Sequence, residues 1–161
     1  MLRRFRYLWA FLLTVFAAVL LRGLAITMPS PATEVLSPMN ESPWELGKLA
    51  FWAMLPAALA LHRLERGSSR SGLCAAVLLA AVLAAALTPL GLPPAILYLL
   101  SFAAALTVYA LLLHRIQGGE LLWYAALLLL AIACILFSIL PPVGALFTDP
   151  ADVSAIAPIP F

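Results

Sequence analysis

The residues best suited to chemistry in this chain lie in one short run, Asn40-Glu41-Ser42-Pro43-Trp44-Glu45-Leu46-Gly47-Lys48, and in a second around Asp149. If the helix that follows began one turn early, Glu41, Glu45 and Lys48 would recur at i, i+4 and i+7. Two carboxylates and one ammonium would then share a face, with Trp52 continuing the stripe. Carboxylates so placed could act as general acid and base, and the same charges could instead form a polar pocket for a ligand or partner. No serine or cysteine activated by a base, no metal-ligand cluster and no glycine-rich phosphate loop accompanies them. No catalytic residue, no metal site and no cofactor is therefore assigned, and the candidate binding residues are Asn40, Glu41, Trp44, Glu45, Lys48 and Asp149.

A structural reading covers part of this group. Ser42 is suited to the N-cap, Pro43 to the first helical position and Glu45 to the third, which makes a Ser-x-x-Glu capping box. Lys48 can pair with Glu45 at i+3 and snorkel to the headgroups. Asp149-Pro150 followed by Asp152 reads as a helix start. Asn40 and Glu41 stay outside this account.

The elements that must position these residues follow from composition. Of 161 residues, 65% are hydrophobic and only 10% charged, which excludes a water-soluble globular domain. The excess lies in five apolar runs of 18 to 20 residues, at 7–24, 44–61, 73–90, 95–113 and 121–140. At about 1.5 Å per residue each reaches about 27–30 Å, enough to cross a bilayer core once. The runs lack strand alternation, and backbone groups in lipid must be paired within their own segment, so an all-α bundle of five transmembrane spans is expected, as a single domain. Arg3, Arg4, Arg6, Arg63, Arg66, Arg70 and Arg115 fall in alternate gaps, so seven of the nine basic residues share one side. Five of the seven acids, Glu34, Glu41, Glu45, Asp149 and Asp152, fall on the other. The positive-inside rule then puts the N-terminus in the cytoplasm and the C-terminus outside. The first run is longer than a signal-peptide core and is followed by Pro29 and Pro31 where small cleavage-site residues would be needed, so it reads as a span.

Between the spans, prolines 29, 31, 38 and 43 argue against a regular helix in the outer loop 27–43. The outer tail is 141–161. Short turns make the third and fourth spans a hairpin, and Gly118 and Gly119 make the fourth and fifth close neighbours. Ala76, Ala80 and Ala84, with Ala81 and Ala85, mark the third span as the central helix. Pro56 falls inside the second and should kink it. Cys74 and Cys134 read as small packing residues, and His62 and His114, each before an arginine, as interface anchors.

The two polar stretches resemble an uncharacterised family of small five-span bacterial membrane proteins. Its members carry a Pro-Val-Asn-Glu-Ser-x-Trp-Glu-His-x-Lys-Leu block before the second span and a Pro-Pro-x-x-x-Leu-Phe-x-Asp-Pro block after the last. Pro38, Asn40, Glu41, Ser42, Trp44, Glu45, Lys48 and Leu49 match the first, and Pro141, Pro142, Leu146, Phe147, Asp149 and Pro150 the second. Leu46 stands where the block has histidine, and a second histidine expected near the end of the first span is absent, with Arg22 nearby. The resemblance implies shared architecture and no activity.

Both stretches fall on the outer side, so their convergence at one face is expected. The reading this favours is a noncatalytic accessory protein of the plasma membrane that binds membrane lipids, a membrane protein partner or a second copy of itself through the outer polar group. A small transporter or channel is the second reading. It requires an oligomer, because the span interiors offer mainly Thr14, Ser101, Thr107, Tyr109 and Ser138. An interfacial enzyme using the outer carboxylates is the third. Nucleic acid is disfavoured as a partner, because the arginines are spread along one membrane face.

Overall fold

The structure, a computed structural model, describes residues 5–65 and 67–149. Arg3, Arg4, Arg66, Pro150, Asp152 and the remainder of the tail 150–161 lie outside the described residues. The chain is all-helical there, and α2 to α5 begin at a serine cap or a proline. The apolar run after Phe5 forms α1 (Arg6–Thr27). A short α2 (Pro31–Leu36) follows, and α3 (Pro43–Leu64) takes Pro43 as its first residue behind the Ser42 cap. The Ser69 hydroxyl accepts from the Gly72 N–H, 2.9 Å, to open α4 (Arg70–Leu87), which a 3-10 turn prolongs to Leu90. Pro94 opens α5 (Pro94–Leu111). The left-handed glycines Gly118 and Gly119, φ 85° and 64°, turn the chain into α6 (Glu120–Ile139).

The five long helices run alternately up and down. At one end Arg6 pairs with Glu65, 3.1 Å, which also accepts from the Tyr109 hydroxyl at 3.3 Å, and Ser71 donates to the Gly118 carbonyl at 2.7 Å. These contacts gather the starts of α1, α4 and α6 with the ends of α3 and α5. Loop 37–43, α2 and residues 140–149 occupy the opposite end. Among the described residues four helices are long and apolar enough to cross a membrane: α1, α4 with its 3-10 extension, α5 and α6. α3 has the length, at 22 residues, but Glu45, Gly47 and Lys48 in its first turns and His62-Arg63 at its end set it apart from those four.

Two expectations are corrected. Loop 27–43 contains a regular helix, α2, because its prolines do not oppose one. Pro31 sits at the first helical position, where its missing N–H costs nothing, and the others lie outside the helix. Ser30 and Thr33 close a reciprocal capping box, with the Ser30 N–H donating to Thr33 Oγ1 at 2.9 Å and the Thr33 N–H to Ser30 Oγ at 3.3 Å.

The alanine-rich α4 is central as expected, packed on α3, α5 and α6, and it shares that position with α3. Residues from Glu45 to Phe51 are buried without a break, so that part of α3 is enclosed on every side, by α1, α4, α5 and α2. The alanines of α4 serve this enclosure. A Cβ on Gly47 would meet the Ala81 carbonyl at 3.0 Å and the Ala85 Cβ at 3.4 Å, so glycine on α3 and alanine on α4 together set the close approach of the pair.

The last two long helices are not packed neighbours. α4 and α5 form the expected hairpin, but α6 lies against α4 and α2. The connection 112–119 contains a 3-10 turn (Leu113–Arg115) that crosses over the start of α4 before α6 begins. Gly72 permits the crossing, since any side chain there would run into the Leu113 backbone carbonyl, and the Ser69 hydroxyl donates to the Ile116 carbonyl to hold it. Pro56 lies within an uninterrupted α3, and both cysteines are buried and free.

Candidate functional site

The polar stretch before α3 does not extend that helix backward. Pro43 is its first residue, so Glu41 leaves the face that Glu45 and Lys48 share, and the three-charge stripe does not form. Ser42 caps as expected, accepting from the Glu45 N–H at 3.3 Å. The return half of the box is replaced: the Ser42 N–H donates to Asn40 Oδ1 at 3.1 Å, and the Glu45 carboxylate is used elsewhere.

Lys48 is the centre of what forms instead. Its side chain is fully buried, at 0% exposure, and does not snorkel. The ammonium lies 2.7 Å from Glu45 Oε2 and donates to the Glu34 carbonyl at 2.8 Å and to Ser138 Oγ at 3.0 Å. An ammonium has three protons, and these partners take all three. Glu45 Oε2 also accepts from the Met39 N–H at 2.9 Å, and Ser138 donates its own proton to the Cys134 carbonyl at 2.7 Å. One cation thus joins α3, the last turn of α2 and the end of α6. Trp52 adds a second tie, its indole N–H donating to the Val35 carbonyl at 3.1 Å. The carbonyls left free at the C-terminal end of α2 therefore receive a cation and an indole donor, the partners the helix dipole favours there.

The second stretch arrives at the same end. The Trp44 N–H donates to the Leu146 carbonyl at 2.9 Å, and the Glu41 N–H to Asp149 Oδ2 at 3.1 Å. Trp44, Phe137 and Phe147 form a three-ring cluster with centroids 5.2–5.5 Å apart. Segments about one hundred residues apart in sequence are thus in direct contact. Glu45, Lys48, Trp44 and Asp149 are joined into one framework, whereas Asn40 and Glu41 lie exposed on its rim.

Glu41 instead borders a cleft of about 420 Å³ between α1, α3 and the start of α5. The walls are apolar, with Val15, Val19, Leu99 and Phe102 among them, and the polar residues lining it are Arg22, Glu41 and Tyr98. The volume is that of a small-molecule site. Tyr98 is 7% exposed, stacks on Phe102 with centroids 5.9 Å apart, and its hydroxyl is buried without a hydrogen-bond partner among the described residues. Sequence reasoning missed Arg22, Tyr98, Phe137 and the role of Ser138. The signal for Ser138 was present: it is a hydroxyl near the end of the last span, at the level where Lys48 begins the second.

Among the described residues the fold is all-helical, with four helices of membrane-crossing length and apolarity and a buried lysine staple under a short capping helix. No protein-family model, no curated protein and no solved structure matches the chain.

Proposed function

We propose that this chain is a five-span integral protein of the bacterial plasma membrane, N-terminus in the cytoplasm and C-terminus outside, that holds a membrane amphiphile without transforming it. It would belong with the small family that its two motif blocks resemble. α3 supplies the fifth crossing. Its antiparallel packing between α1 and α4 supports this, since a helix enclosed by membrane-length neighbours need not itself be strongly apolar. Arg6, Arg63, Arg70 and Arg115 lie at the end opposite α2, which supports that end as cytoplasmic. A cysteine placed at Met39 is expected to react with an impermeant maleimide on intact cells, and one placed at Gly67 only after permeabilisation. Labelling of both from outside would refute the orientation.

The observation that carries the binding reading is the apolar cleft bordered by Arg22 and Glu41. The bonding of Lys48 supports the same division of labour: its donors are taken by the framework, so the polar cluster builds the face and the cleft beside it binds. Native mass spectrometry of the protein released from membranes in a mild detergent is expected to show retained amphiphile. Val19→Trp changes a residue that lines the cleft yet is 66% exposed, so it fills the space from the rim without touching the core. That variant is expected to lose the adduct. Parent protein that carries none, or a variant that carries as much as the parent, would overturn the reading.

A further inference from the structure

The polar groups of the cleft are arranged by depth. Tyr98 is four residues into α5, about 6 Å below its start, and Arg22 is five residues before the end of α1, about 7.5 Å below it. Val15 lies two turns deeper than Arg22, about 10 Å, and Phe102 one turn deeper than Tyr98. Glu41, outside any helix, closes the top of the cleft. From the surface downward a ligand therefore meets a carboxylate, then the guanidinium and the tyrosine at about one level, and then apolar wall.

Neither charged group is neutralised within the fold. Among the described residues the side chains of Arg22 and Glu41 make no ion pair or hydrogen bond, although both border the same cleft. The Tyr98 hydroxyl is a third unmet group, and a buried hydroxyl normally finds a partner. Glu41 is also held in place: its backbone N–H is fixed by Asp149 and the adjacent Ser42 N–H by Asn40.

Resting on the reading of the cleft as an amphiphile site, we propose that its ligand is a phospholipid with a zwitterionic, primary-amine headgroup of the phosphatidylethanolamine type. Arg22 matches the phosphate, since a guanidinium offers paired donors to phosphate oxygens. The Tyr98 hydroxyl, at about the level of Arg22, donates to an ester carbonyl beside the phosphate, and an acyl chain runs down between Val15, Val19 and Phe102. Glu41 decides the headgroup. A purely anionic lipid would set its charge beside this carboxylate, whereas an ammonium two carbons from the phosphate brings N–H donors to it. A quaternary ammonium brings charge without a donor, so an ethanolamine headgroup suits the site better than choline.

The test is native mass spectrometry of delipidated protein in nonionic detergent, incubated with equimolar dioleoyl phosphatidylethanolamine, phosphatidylcholine and phosphatidylglycerol. The parent is expected to retain the ethanolamine lipid over the glycerol lipid by about fivefold, the scale of one exposed charge contact. Glu41→Gln is expected to bring the two to parity while total lipid binding persists. Arg22→Gln should lower all three, and Tyr98→Phe should weaken retention without changing the ratio. Arg22 and Glu41 are exposed, so these variants test recognition and not folding. Equal retention by the parent, preference for the anionic lipid, or an unchanged ratio in Glu41→Gln overturns the headgroup assignment while the amphiphile reading stands. Absence of any adduct on the parent overturns both.

Discussion

Lys48→Met is expected to cost the folded protein about 3–5 kcal/mol, the range for removing one partner of a buried ion pair. The methionine fills most of the lysine's volume, so the loss is electrostatic and not a cavity. Glu45 would keep a carboxylate that is only 9% exposed, facing a thioether, with the Met39 N–H as its remaining donor. The Glu34 carbonyl and the Ser138 hydroxyl would each lose a charged donor in the same step. Glu45→Gln leaves the ammonium without its counter-charge, but the amide oxygen, the Glu34 carbonyl and Ser138 can still accept from it, so it should cost less. In the double variant Glu45→Gln/Lys48→Met the loss should fall well short of the sum of the two, because neither change then leaves a charge alone. Equilibrium unfolding in mixed detergent micelles measures all three. Hydrogen exchange should show α2 losing protection first in Lys48→Met, since Lys48 and Trp52 hold its C-terminal carbonyls. A Lys48→Met protein as stable as the parent would show that the ammonium is not the staple.

The helices were legible in the sequence because length and hydropathy specify them directly. Each of the five apolar runs overlaps a long helix, and the start signal at Pro43 holds to the residue. The errors arose where tertiary contact, not local composition, decides. α2 was obscured by counting prolines without asking which helical position each would occupy, and Pro31 takes the one position that favours it. The turn Gln117-Gly118-Gly119 supplies left-handed backbone at its two glycines but not the direction in which α6 leaves. Whether a short connection folds back or crosses a neighbour depends on a clearance, here that of Gly72 beneath the Leu113 carbonyl.

The candidate site was legible in part for the same reason. Charge placement put both motifs at one face, and they do meet, through Glu41 with Asp149 and Trp44 with Leu146. The sequence could not say that Lys48 would be buried and Glu41 left on the rim, because that depends on Ser138 and on α2 closing over the lysine.

Trp44→Ala is expected to destabilise the protein near the lower end of the roughly 3–5 kcal/mol seen for large-to-small aromatic truncations, since Trp44 is half-buried. Its more specific effect should fall on α6. That helix buries little of itself, with 6% of its most apolar stretch enclosed and Cys134 its one fully buried residue, so side-chain packing along its length holds it only lightly. What fixes its far end is the ring cluster of Trp44, Phe137 and Phe147, together with the Lys48–Ser138 hydrogen bond. Removing the indole takes away two of the three ring contacts and leaves Phe137 and Phe147 with only each other. Residues 141–149, which join α3 through the Trp44–Leu146 backbone bond and the rings, should then exchange amide hydrogens faster and become sensitive to protease, while α4 and α5 stay protected. Trp44→Phe keeps an aromatic ring in the cluster, and because the Trp44 indole N–H is buried without a partner among the described residues, losing it should cost little. That variant is expected to retain most of the protection. Equal exchange at 141–149 in the parent and in Trp44→Ala would mean that α6 is anchored by lysine and lipid alone, and the aromatic cluster would lose its assigned part in holding the two motifs together.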